Sequence, residues 1–283
     1  MALTVGLYAP NMHAGASAHG AALIARLAES LGYDSLWVAD HVVLPSPRIE
    51  SSPMAPDDPL LDPIVALSYF AARTSRIGLA TGCVVLPQRN PLVLAKQLAS
   101  VDVLSDGRLI FGAAVGYLEP ELRAVGVPMA GRGARTDEYL RAITSLWYDE
   151  SPVFQGEYVS FDGVDAHPRP VQRPVPIVVG GHSAAAFRRA LTYADEWFGY
   201  LLGLRATAER LDALRAAADG FDRPPLRISV CPARRLNPEI VASYAELGVD
   251  RLVIAPPVGL PLDELEAFVE QNAPERLGAT ARR

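Results

Sequence analysis

The sequence predicts an α/β fold of the (β/α)8, or TIM-barrel, class, with an insertion over the barrel mouth between strands 4 and 5. Three observations carry this. Eight short apolar runs recur through the 283 residues. Most of them lack alternation, as strands buried on both faces of a parallel sheet do. Segments of helical period lie between them, and eight such alternations in this length fit a closed barrel better than an open sheet.

The strands fall at 4–8, 35–39, 77–85, 109–114, 177–179, 197–201, 226–230 and 252–255. In "LDPIVALSYFAARTS" Asp62 is placed to cap a helix whose first position is Pro63, and in "RNPLVLAKQLASVDVLSDGR" Asn90 and Pro91 repeat the device. Leu94, Leu98, Val101 and Leu104 mark one face of that second helix, and Gly107 stops it. Residues 126–176 hold one helical segment, "TDEYLRAITSLWY". A stretch rich in Gly and Pro follows, longer than a plain connection, and this is the insertion.

No linker or repeat divides the chain, so 1–283 is expected to be a single domain. Half of its residues are hydrophobic, enough for a sizeable core. A formal net charge of −6 argues against a nucleic-acid partner. The apolar runs are shorter than the roughly 20 residues of a spanning helix, and a strand beginning near Leu3 leaves no room for a leader, so a cytoplasmic location is expected. Cys83 and Cys231 give neither zinc spacing nor a disulfide framework, and no metal is expected.

In such a barrel the residues just past each strand line the active site. The second strand ends on Asp40 and His41, which face the mouth or else form a hydrogen-bonded pair at the rim. Gly82 and Cys83 interrupt the third strand, as a bulge or a close approach to a ligand does, although a buried cysteine is more often inert. Gly116 and Tyr117 follow the fourth. Gly180, Gly181, His182 and Ser183 follow the fifth and precede a helix, where backbone amides accept an anion. Glycine pairs also serve such turns for geometric reasons alone. Arg89, Arg132, Arg135, Arg169 and Arg173 fall on the same predicted face and could hold an anionic ligand, or lie solvated.

The ordered set "DSLWVADHVVLP", "ARTSRIGLATGCVVLPQRNPLVLAKQLASVDVLSDGRLIFGAAVGY", "GARTDEYLRAI", "FQGEYVSF" and "PRPVQRPVPIVVGG" resembles the bacterial-luciferase-like flavin and deazaflavin oxidoreductases, and most of all their actinobacterial F420-dependent branch. The resemblance is close to about Gly203 and looser beyond. It implies a flavin-type ring at the mouth over a bulge in the third strand, with a cis peptide at Cys83-Val84. Gly116, Gly180 and Gly181 would lie by the cofactor's phosphate and ribityl chain. Asp40 and His41 would stand beside the reactive edge, with Asp40 orienting His41 or touching the ring. Tyr117 stands where the sugar-phosphate dehydrogenases of the group carry a glutamate, so that substrate is not carried over; Glu119 and Glu121 match nothing in the pattern.

The implied function is hydride transfer between F420 and a small organic substrate, with His41 and Asp40 catalytic and Asp40, Gly82, Cys83, Val84, Gly116, Tyr117, Gly180, Gly181 and His182 holding the cofactor. The alternatives are an FMN-dependent monooxygenase served by a separate flavin reductase and a non-catalytic flavin- or deazaflavin-binding protein. Relatives often pair through barrel helices, so a homodimer is a further expectation.

Overall fold

A computed structural model describes residues 3–282. In chain order the elements are β1 (Thr4–Tyr8), α1 (Ala18–Ser30), β2 (Ser35–Val38), α2 (Pro63–Ala71), β3 (Gly78–Thr81), β4 (Val84–Val85), α3 (Pro91–Leu104) and β5 (Leu109–Ala114). Then come α4 (Glu119–Ala124), α5 (Arg132–Tyr148), β6 (Phe154–Gln155), β7 (Ser160–Phe161), β8 (Ile177–Gly180) and α6 (Ala184–Tyr193). The chain continues through β9 (Glu196–Leu202), α7 (Leu204–Ala218), β10 (Arg227–Pro232), α8 (Pro238–Glu246), β11 (Arg251–Ile254) and α9 (Leu262–Gln271). All the long-range pairings in the main sheet are parallel, and β11 returns to β1 while β3 pairs with β5, which closes the barrel.

Each of the eight expected strands is present, with bounds that differ by a residue or two. The third occupies two segments. From Ala80 to Val84 it takes four steps where its partner takes three from Ile110 to Ala113, so one extra residue is bulged out. Thr81 fills the interruption, its hydroxyl accepting from Gly112 N and donating to Gly112 O, both at 2.7 Å. A Cβ at Gly112 would stand 2.0 Å from the Thr81 carbonyl oxygen, so only glycine lets the two backbones approach. The cis peptide lies at Gly82-Cys83, one bond earlier than the Cys83-Val84 position expected. A Cβ at Gly82 would stand 3.2 Å from Trp37 Cβ and Cε3, a tighter contact than most side chains make.

Asp62 caps α2 by accepting from Ile64 N and Val65 N, and Asn90 caps α3 by accepting from Leu92 N and Val93 N. Leu94, Leu98 and Val101 are buried as expected, but Leu104 is 69% exposed. At 3.6 residues per turn that position has rotated about 80° from Leu94.

The connection after β5 is long, yet none of residues 118–179 lines the cavity described below. Arg132 binds the Gly116 carbonyl at the rim, α5 packs along α3, and the β6–β7 hairpin is fastened by Glu138, whose buried carboxylate accepts from Glu157 N, Tyr158 N and Val159 N. Asp102, fully buried near the far end of α3, accepts from Val171 N and Gln172 N and so draws the segment down the side of the barrel.

The opposite end of the barrel is closed by charge. Arg251 binds Asp34 at 2.7 Å and Glu196 at 2.8 Å, its guanidinium lying 5.2 Å from the Trp37 ring centroid. Glu196 also accepts from Ser229, while Trp37 donates to Ser35 and Ser35 to Asp34. Above this layer Trp37, Ala80, Val178, Phe198, Cys231 and Val253 fill the barrel interior.

Candidate functional site

A cavity of about 380 Å³ opens where the barrel strands end. Asp40, His41, Gly82, Cys83, Gly116, Tyr117, Gly180 and Gly181 all line it. Of the expected site residues, Val84 and His182 do not. Val84 is buried on the other side of its strand and Val85 takes the wall position. His182 lies behind the wall, where its Nε2 accepts from Tyr200 N at 3.1 Å. Burial, aided by Arg210, holds that imidazole below its ordinary value, which suits a neutral acceptor.

Asp40 and His41 are neighbours in sequence but belong to separate networks. The Asp40 carboxylate, fully buried, accepts from Arg89 Nη2 at 2.7 Å and from Val85 N at 2.9 Å, and Arg89 reaches on to Asp62 at 3.0 Å. Burial pushes the Asp40 carboxyl up, against the Arg89 guanidinium that draws it down. Asp40 therefore ties the end of β2 to the bulge of the third strand, and does not orient His41.

That orientation comes from Glu121 on α4. Its carboxylate, 1% exposed, meets His41 Nδ1 at 2.8 Å and accepts from Val42 N at 2.6 Å. With Nδ1 committed, Nε2 is the ring nitrogen left for a ligand. The sequence left Glu121 unassigned; its only local signal is an acid directly before the buried Leu122 at the start of a helix. The Tyr117 ring stands edge-on to His41 at 6.3 Å and is 56% exposed at the mouth.

Two further residues escaped the sequence reading. Asn11, fully buried, donates to the carbonyls of Ala39 and Leu61 and accepts from Ala39 N, which locks the ends of β1 and β2 to the loop before α2. His13 lines the cavity as well. The loop after β2 supplies Pro53 and Met54 to the same wall, and the segment after β11 supplies 255–260.

Burial pushes the Cys83 thiol up to about 12, so it stays protonated and behaves as the inert small hydrophobe. The glycines are required by the chain's own packing. A Cβ at Gly116 would meet Val85 Cγ1 at 2.6 Å, one at Gly180 the Cys83 sulfur at 3.0 Å, and one at Gly181, where φ is 128°, Ala186 Cβ at 2.9 Å.

The five arginines do not gather over the cavity. Arg89 is spent on Asp40 and Asp62, Arg132 on backbone carbonyls, Arg135 on Tyr139 and the Tyr158 ring, and Arg169 on Asp165. Among the described residues no lysine or arginine lines the cavity.

The family model described as luciferase-like monooxygenase matches residues 3–239. An uncharacterised protein of Mycobacterium tuberculosis is 34% identical over 264 residues, covering 89% of this chain and 92% of its own length. An F420-dependent glucose-6-phosphate dehydrogenase of Kineococcus radiotolerans is 37% identical over 156 residues, 54% of this chain and 43% of that protein. An FMNH(2)-dependent dimethylsulfone monooxygenase of Pseudomonas putida is 30% identical over 138 residues, 46% of this chain and 38% of that protein. The crystal structure of the monooxygenase RslO1 from Streptomyces bottropensis superposes with a TM-score of 0.79 at 22% identity, covering 97% of this chain and 98% of that one.

Proposed function

The chain belongs to the luciferase-like monooxygenase family, and within it we propose an oxidoreductase that uses coenzyme F420 to move a hydride to or from a small organic substrate. The observation that carries this reading is the His41–Glu121 pair on the wall of the cavity, an imidazole held by a buried carboxylate with its second nitrogen uncommitted.

The residues fit a flat ring. Ala39, Gly82, Ala114, Gly116 and Gly180 give the wall on strands two to five a surface of small side chains. Helix α6 begins three residues after Gly181, and its first-turn amides, apart from Ala186 N, which the Ser183 side chain already caps, are free among the described residues to accept an anion there. A deazaflavin bound there supplies the redox chemistry. This chain's part is to present the ring to the substrate, exclude water and exchange a proton between His41 Nε2 and the substrate oxygen. Asp40 keeps the wall in shape through Val85 and Arg89.

The FMN-dependent monooxygenase, with a partner reductase, is the second reading. Among the described residues no lysine or arginine lines the wall, which favours it, since F420 carries an acidic tail that would find no cation there. A protein that only binds the cofactor is a third reading, and the buried support given to His41 weighs against it. The proposal also takes residues 1–283 as one luciferase-like unit, cytoplasmic and able to pair through barrel helices; no helix among the described residues is long and apolar enough to cross a membrane.

Titration of the purified protein with F420 and with FMN separates the first two readings. Tighter F420 binding is expected, followed by turnover that falls about 100-fold or more in His41→Ala while F420 affinity stays within a few-fold. Preferential binding of FMN, with oxygen consumption in the presence of a flavin reductase, transfers the site to the second reading. Retention of cofactor with unchanged turnover in His41→Ala removes His41 from the mechanism.

A further inference from the structure

Strand β9 changes course as it reaches the cavity. Between Gly199 and Leu202 it takes three steps while β10 takes two from Val230 to Pro232, so one residue is bulged out of the ladder. Leu201 sits there at a φ of 52°, in the left-handed region that leucine rarely adopts. Bulges of this kind re-aim a side chain. The ring so aimed is that of Tyr200, which lines the cavity with its centroid 5.2 Å from that of Tyr8.

On its other side β9 has run out of partner. Strand β8 pairs with it as far as Gly180 opposite Phe198 and then turns away into α6. Two hydrogen bonds tie the turn to β9, from Gly181 N to Phe198 O at 3.4 Å and from Trp197 Nε1 to Gly181 O at 2.8 Å. The next backbone donor on that edge is Tyr200 N, and a side chain accepts it, His182 Nε2 at 3.1 Å. The imidazole stands in for the missing strand beside the bulge.

Of these three bonds only the last depends on a proton. An imidazole nitrogen accepts an N–H through its lone pair; once the ring is charged both nitrogens are donors, and two N–H groups then face each other. The surroundings of the ring oppose its charging. It is half-buried, Arg210 on α7 adds a like charge, and among the described residues no carboxylate offsets it. From β9, Tyr200 offers its N–H and Trp197 its ring, 6.3 Å away between centroids.

We propose that His182 is a positioning residue that latches the bulge of β9, and with it the Tyr200 ring, onto the cavity wall while the imidazole is neutral, and releases both when it is charged. A latched ring binds a proton less readily than a released one. The latch is therefore intact above about pH 6.5, the ordinary value of the group, and weakens by up to about ten-fold for each pH unit below it. The latch itself needs no ligand; its service to the ligand rests on the oxidoreductase reading of the same cavity.

Amide hydrogen exchange at Tyr200, corrected for the intrinsic pH dependence of exchange, tests the latch in the protein without ligand. Protection is expected to fall by up to about ten-fold between pH 6.5 and pH 5.5 in the native protein. His182→Gln, whose amide oxygen reaches the place of Nε2 but does not titrate, is expected to hold its protection across that range, with His182→Asn as a second such variant should the first not fold. His182→Phe is expected to lack the protection at every pH. Native protection that does not change with pH, or that changes equally in the amide variant, overturns the latch. Fluorescence titration with F420 and with FMN then reads the consequence. For the cofactor retained, native affinity is expected to fall several-fold more than that of the amide variant between pH 7.5 and pH 5.5, a comparison in which the titrations of His41 and of the FMN phosphate cancel. Affinities that match in the native, amide and His182→Phe proteins overturn the positioning role and leave a structural tie. Failure to bind either cofactor at any pH, with the exchange pattern intact, overturns the oxidoreductase reading alone.

Discussion

The His41 imidazole gains direction from a carboxylate that lies 80 positions away in the chain. Glu121 fixes which nitrogen carries the hydrogen and holds the ring against rotation, the part that outer carboxylates play for metal-bound histidines. Glu121→Gln keeps an oxygen that can accept from Nδ1 but removes the charge. We expect turnover to fall about 10- to 100-fold, with cofactor affinity within a few-fold and a changed pH profile of kcat, checked by steady-state kinetics across pH. An unchanged profile would make Glu121 a mere prop for Val42. At this scale the sequence was legible where chemistry sat beside a strand end, as with Asp40 and His41. It was opaque where the partner came from another unit: adjacency paired Asp40 with His41, but successive side chains on extended chain point to opposite sides, so each met a different neighbour. Asn11 and His13 were missed for a related reason, since the turn that positions them is defined by the distant loop at 59–61.

At the scale of elements, strand ends and helix caps do the positioning, and several are tied by single carboxylates. Glu29, near the end of α1, accepts from Ser75 N, Arg76 N and Ile77 N and thereby sets the entry into β3. Partial burial raises its carboxyl, but the three backbone N–H groups outweigh it and the net shift is downward. A depressed folded value means that the unfolded chain binds the proton more tightly. The stability Glu29 contributes is then present above its unfolded value of about 4.3 and is lost as pH falls through the lower folded one. Glu29→Gln should therefore lower Tm at pH 7, with the gap to the native protein narrowing progressively below about pH 4; thermal melts at a series of pH values check it, and a pH-independent gap would assign the effect to packing instead. The caps at Asp62 and Asn90 could be read from sequence because a cap acts within three residues. The course of 126–176 could not, because what draws it down the barrel side is a set of buried carboxylates, Glu138 and Asp102, whose partners are backbone amides carrying no sequence signature.

Across the whole molecule the two ends of the barrel are built on opposite terms. The mouth leaves His41 Nε2 without a protein partner among the described residues, whereas the far end pairs its charges inside the protein. The eight-fold alternation made the closed barrel legible, since apolar period and strand spacing are properties of the chain itself. The charged plug was hidden, because Arg251 and Glu196 read as ordinary strand-start residues until closure brings β9, β11 and the residue before β2 around one axis. Arg251 is 2% exposed and answers two carboxylates, so Arg251→Met leaves Glu196 and Asp34 without their cation. Removing one partner of a buried ion pair costs about 3 to 5 kcal/mol, and for a chain of this size that corresponds to a Tm lower by about 10 °C. Because the plug and the cavity lie at opposite ends of the strands, the folded fraction of Arg251→Met should bind cofactor as the native protein does. Calorimetry and a cofactor titration below the melting range test both halves. A large loss of affinity without a loss of Tm would mean that the plug acts on the mouth through Trp37, whose ring lies under the guanidinium and whose backbone carbonyl accepts from Ala9 N at the start of the cavity wall.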